Sequence, residues 1–203
     1  MDPAQLKDGI EELRGCIERD VAGGFSTPHE ITEHALEMVA QDYDARELRP
    51  HAERLVREAV AAHLASERLW PRITDCDRLA AAFAALERDD ALVCRENFSC
   101  CGACGIGEIR LELEQERQTG REVCGYVFYH MQDTENAVDG YGLFLHYGSV
   151  LRGPKAAASV GRQVVAAMRR AGLQVNWDGN PQKRIGVRFD WKRRLPVDAA
   201  GHA

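Results

Sequence analysis

The chain has 203 residues, 45% of them apolar and 29% charged, with a net charge of −6. This composition is globular rather than disordered, and the length can bury a sizeable core. No apolar run reaches the ~18 residues of a membrane span, and the polar, acidic start MDPAQLKDGIEELRG lacks the order of a secretion signal. These features predict a cytosolic protein with no membrane partner. There, seven cysteines are expected to be thiols or metal ligands, and the odd count argues against a pure disulfide framework.

The first 70 residues read as helices. Leu6, Ile10, Leu13 and Ile17 form one apolar stripe over residues 4–20, and Gly23-Gly24 breaks it. Thr27-Pro28-His29-Glu30 has the form of a capping box with proline at the first helical position, opening a helix that buries Ile31, Ala35, Leu36 and Val39. A third helix is predicted from Arg46 or Pro50 to Trp70, stopped by Pro71.

From there helices and strands alternate. Thr74 or Asp75 caps a helix carrying Leu79, Ala82, Phe83 and Leu86, and Ala91–Arg95 reads as a short strand. A helix is expected from Cys101 or Gly102 to Gln118, then a buried strand Gly125–His130. A short helix Asp133–Val138, capped by Asp133 or Thr134, precedes a strand Leu143–Tyr147. The helix Ala156–Ala171 is closed by Gly172. Leu173–Trp177 and Arg184–Trp191 form a closing hairpin, with Ile185, Val187, Phe189 and Trp191 alternating against polar neighbours. The fold class is therefore α+β: an N-terminal helical segment followed by a mixed α/β sandwich with a C-terminal antiparallel hairpin. The expected divisions are a helical subdomain at 1–72, the mixed domain at 73–194 and a flexible tail at 195–203.

Charge is unevenly spread. Residues 151–194 hold eleven Lys/Arg against two acids, and residues 1–150 are strongly acidic. The asymmetry is read chiefly as two halves that pack, or self-associate as a homo-oligomer, through opposite fields, with nucleic acid disfavoured. Arg152, Lys155, Arg184 and Arg188 are the candidate anion-binding residues, with the 192–194 cluster beside them.

The cysteine cluster Cys100-Cys101-Gly102-Ala103-Cys104-Gly105 concentrates the chemistry. A crossover helix between two strands implies that they run parallel, which puts the ends of the strands before Asn97 and at His130 on one sheet edge. Cys94 falls in mid-strand, and Cys124 at the opposite edge. Two chemistries fit. Cys100, Cys101, Cys104 and His130 form a tetrahedral donor set for zinc, whose four protein ligands imply a structural or regulatory ion. Alternatively, Cys101 at a helix N-terminus is an attacking thiolate with Cys104 as its resolving partner. Packed, unreactive cysteines are the simplest alternative. A third functional class is an interaction module that binds an anionic partner through the basic hairpin.

Two stretches carry a family likeness: Arg95-Glu96-Asn97-Phe98-Ser99-Cys100-Cys101-Gly102-Ala103-Cys104-Gly105 and, later, Gln132-Asp133-Thr134-Glu135. With Trp177-Asp178-Gly179 and Trp191, they resemble an uncharacterised bacterial domain of unknown function, over roughly residues 74–194. Where that family's pattern often carries a histidine after Cys-Gly, this chain has Ile106. The resemblance implies one coherent bacterial cytosolic domain and nothing about mechanism.

Overall fold

The computed structural model describes residues 1–196, which form seven helices and one five-stranded sheet in two compact units. The first unit comprises Met1–Arg72 and the segment from Lys192; the second is Ile73–Trp191. No helix of the described residues is long and apolar enough to cross a membrane.

The first unit holds α1 (Pro3–Gly23), α2 (Pro28–Val39) and α3 (Ala45–Glu67). The stripe read from the sequence is its core: Leu13, Ile17, Ile31, Ala35, Leu48 and Ala52 are sealed from solvent. Gly24 takes the left-handed conformation that ends α1, and Thr27 and Glu30 form the expected reciprocal cap of α2. Two boundaries of α3 differ from expectation. It starts at the cap Asp44, and it ends at Glu67, three residues before Trp70. Leu69 and Trp70 turn back instead in tighter bonds to the carbonyls of Ser66 and Glu67. The segment from Lys192 joins this unit: the Arg193 carbonyl lies 3.0 Å from His63 Nε2, and the Leu195 amide donates to Glu67. Of the tail expected at 195–203, residues 197–203 lie outside the described residues.

The second unit contains α4 (Asp75–Asp89), β1 (Leu92–Arg95), α5 (Gly102–Gln118), β2 (Gly125–Phe128), α6 (Met131–Val138), β3 (Leu143–Ser149), α7 (Pro154–Arg170), β4 (Gln174–Asn176) and β5 (Ile185–Arg188). The sheet order is β1-β2-β3-β5-β4. β1 and β2 run parallel across the α5 crossover and the remaining pairs are antiparallel, so the sheet is mixed, with β2 inside it. Side-chain alternation splits the sheet into two faces. Val93 and Phe128 face α5 and pack with Ile109. On the other face Tyr147 and Gly125 meet α7 at Gly161 and Val160, and Tyr129 meets Phe83 of α4.

α5 reaches the sheet through glycines. Gly102 and Gly105 lie one turn apart on the seated side of the helix. A methyl at Gly102 would come within 2.7 Å of His146 Cε1, and one at Gly105 within 2.6 Å of Phe128 Cε2. In the hexapeptide CCGACG the glycines therefore pack down, while Cys100 and Cys104 are exposed and Cys101 is half-buried. The sequence reads the cysteines as the informative residues here; the glycines set where they stand.

Candidate functional site

Backbone geometry fixes the loop that carries the thiols. Asn97 and Ser99 both have positive φ, 48° and 65°, which non-glycine residues seldom adopt without support. The support comes from the chain after β2. The Phe98 amide donates to the Tyr129 carbonyl, the Met131 amide donates to the Ser99 carbonyl, and the Thr134 hydroxyl donates to Asn97 Oδ1 at 2.7 Å. This pairing ends β2 at Phe128 rather than at His130, the predicted last residue. It also makes His130 the cap of α6, where the sequence suggested Asp133 or Thr134. Asp133 is the other half of that cap: its amide donates to His130 Nδ1, and its carboxylate accepts the His130 amide.

The sulfurs of Cys100, Cys101 and Cys104 lie within 4.8 Å of one another. The Cys104 backbone and the thiols of Cys104 and Cys100 hold Cys101 below the ordinary thiol range, as a helix N-terminus favours a thiolate. Cys104 is pushed up to about 11 by the neighbouring Cys100 and Cys101 thiols. Three thiols this close cannot all ionise cheaply unless a cation joins them. The cluster can thus release one thiolate readily, or hold a thiophilic ion. Cys94 is buried, and burial pushes its thiol well above the ordinary value. Cys124 stands at the start of β2, its thiol directed at the Asp90 carbonyl.

His130 sits with a second group. Its Nε2 lies 3.0 Å from Asp133 Oδ2 while its Nδ1 receives the Asp133 amide, so one residue engages both ring nitrogens. His146 on β3 completes the group; its ring stacks on Phe128, with centroids 4.9 Å apart. Burial, then the positive fields of Arg184 and His130, pulls His146 down to about 4. Burial likewise lowers His130 and raises Asp133, the latter against the pull of His130 and Arg184. A donor set of two imidazoles and a carboxylate would suit a metal, but Arg184 already holds the place. Its Nη1 donates to Asp133 Oδ1 at 2.8 Å and lies 3.5 Å from His146 Nε2. A guanidinium there repels a divalent cation, so this is a closed polar network beneath the thiol loop.

The two groups meet at Gly102. The Cβ position of that residue, between Cys101 and Ala103, lies 2.9 Å from His146 Nε2 and 3.5 Å from His130 Nε2. Of the anion-binding candidates, Arg184 belongs to this network, its guanidinium lying over the Phe144 ring. Arg188 is exposed at the end of β5, beside the acids Asp75 and Asp190. Arg152 and Lys155 are exposed on either side of the start of α7. Sequence reasoning missed His146. It alternates with Leu145 and Tyr147 like any strand residue, and only the register that pairs it with Phe128 places it beside His130.

No curated protein and no solved structure matches the chain. The family model described as a domain of unknown function (DUF6891) matches residues 7–195, nearly the whole length, and the chain belongs to that family.

Proposed function

We propose that this protein binds a thiophilic metal ion, zinc foremost, through Cys100, Cys101 and Cys104 in the bacterial cytosol, in a structural or regulatory role. The observation that carries the reading is the convergence of three sulfurs within 4.8 Å on a braced loop. Tetrahedral zinc with Zn–S bonds of about 2.3 Å places sulfurs about 3.8 Å apart, a contraction of an ångström at most. A divalent ion also replaces the hydrogen bonds with the Cys100 and Cys101 thiols, and offsets the repulsion, that together raise Cys104. His130, the fourth ligand expected from the sequence, would have to exchange Asp133 Oδ2 for the ion, so the proposal rests on the sulfurs. The test is elemental mass spectrometry on tag-free protein purified anaerobically. One equivalent of zinc belonging to this cluster, lost in Cys101→Ser and in Cys104→Ser, is the expected result. Retention of that metal in both variants would overturn the assignment, and His130→Ala separates four ligands from three.

A second reading has its own observation. A lowered Cys101 beside a raised Cys104 is the division between an attacking and a resolving thiol. It predicts a cluster without metal, in which Cys101 alkylates fastest and attacks an added disulfide such as oxidised glutathione; Cys104 then displaces the glutathione thiolate to close a Cys101–Cys104 disulfide that thiol reductants reopen.

A further inference from the structure

The helical unit holds a third cluster of metal-ligating side chains, independent of the thiol loop. Cys16 and Asp20 stand four residues apart on α1 and so share one face. His34 approaches from α2. Its Nδ1 lies 2.7 Å from Asp20 Oδ2 and 4.0 Å from Cys16 Sγ, and the Sγ–Oδ2 distance is 3.9 Å. Among the described residues Asp20 forms an ion pair with His34, and its side chain is 24% exposed against 43% for His34.

Two chemistries use Cys, His and Asp together, and the geometry separates them. In a nucleophile–base–orienter relay the imidazole must meet the thiol through one nitrogen and the carboxylate through the other. Here both partners face the same nitrogen, Nδ1, so the ring cannot pass a proton between them. A metal site asks for the reverse: three donor atoms converging on one point. Zinc bonded to sulfur at about 2.3 Å and to nitrogen and oxygen at about 2.1 Å in a tetrahedron sets S–N and S–O at about 3.6 Å and N–O at about 3.4 Å. The observed triangle matches the first two within 0.4 Å. Its short edge is the hydrogen bond that a cation replaces. Sulfur, nitrogen and carboxylate together suit a borderline transition metal rather than magnesium or calcium.

We propose that Cys16, Asp20 and His34 form a second metal site, taking a zinc-class divalent ion through Sγ, Oδ2 and Nδ1, with the fourth position open to solvent. On binding, the thiol proton leaves to solvent and any proton on Nδ1 is displaced. The ion ties α1 to α2.

Cobalt(II) added to the full chain is the test, because thiolate coordination gives a near-ultraviolet charge-transfer band and tetrahedral geometry gives strong visible bands. The chain with Cys100, Cys101 and Cys104 all changed to Ser keeps this site alone. It is expected to bind one equivalent with a thiolate band, and adding Cys16→Ser or His34→Ala is expected to weaken binding by more than roughly 100-fold. Cys16→Ser in the otherwise unchanged chain should lose one equivalent while retaining the metal of the Cys100–Cys104 cluster. Failure here is therefore distinguishable from failure there. Asp20→Asn, which keeps an oxygen donor and the helix, should weaken binding about tenfold with unchanged helicity by circular dichroism. A triple-serine chain without a thiolate band, or a band indifferent to Cys16→Ser, would overturn the proposal.

Discussion

The seating of α5 on the sheet can be tested with two glycines two positions apart. Alanine in a helix interior is favoured over glycine by about 1 kcal/mol. At Gly107 nothing lies within 4 Å of the added methyl, so Gly107→Ala should stabilise by ~0.5–1 kcal/mol. At Gly105 the same gain meets the Phe128 ring, with Cε2 at 2.6 Å and Cζ at 2.9 Å. Ordinary carbon contacts are about 3.5–4.0 Å, so ring or helix must move by about an ångström. Phe128 has nowhere to go: it is fully buried, stacked on His146 and packed against Phe98 and Tyr126. Overpacking of this kind costs about 1–3 kcal/mol, which leaves Gly105→Ala neutral to destabilising. The two variants should differ by about 1–3 kcal/mol in urea titrations followed by circular dichroism. If both stabilise equally, α5 does not rest on Phe128 and the placement of the thiol loop falls with it.

Two further results are expected from the network under that loop. His146 is held neutral down to about pH 4 in the folded protein, while an unfolded histidine protonates near 6.5. Between these values the unfolded chain binds the extra proton, so stability is complete above pH ~6.5 and is lost as pH falls through ~4. The unscreened ceiling is about 3 kcal/mol, and partial exposure of the ring reduces it to ~1–2 kcal/mol. Urea midpoints at about pH 7, 5.5 and 4.5 should show a steeper fall than in His146→Gln, and parallel slopes would refute the assignment. Arg184→Met should cost about 1–3 kcal/mol, because it leaves Asp133, 1% exposed, without its cationic donor. A loss confined to low salt would show instead that the pair is a solvated one.

Local chemistry made much of this protein legible. Thr27-Pro28 with Glu30 announces a cap because it satisfies orphan amides within four residues, and the 3.6-residue stripe of Leu13 and Ile17 needs no partner to be recognised. The α5 crossover dictates the parallel β1–β2 pair, so the sequence alone assigns the thiols and His130 to one edge. What escaped depends on distant register. The His130–Asp133 cap is local, three residues apart, but nothing near it in the chain says that Arg184, 51 residues beyond Asp133, will close the network. Cys16 and Asp20 share a helix face by spacing alone, but His34 reaches them only through the packing of α1 against α2.

The segment from Lys192 has a consequence for how the chain matures. Arg193 lays its guanidinium 3.9 Å from the Phe25 ring centre, Arg194 donates to the Pro71 carbonyl and Leu195 packs against the helical core. The helical unit is thus discontinuous, with Ile73–Trp191 synthesised between its two parts. At 5–20 residues per second, a ribosome takes on the order of ten seconds to bridge that gap. During it the three helices wait without their final buttress while the sheet unit is synthesised whole. A chain stopped at Trp191 would retain every strand and every cluster thiol, yet release its N-terminal helices in a less stable form, open to proteolysis at the α3 end.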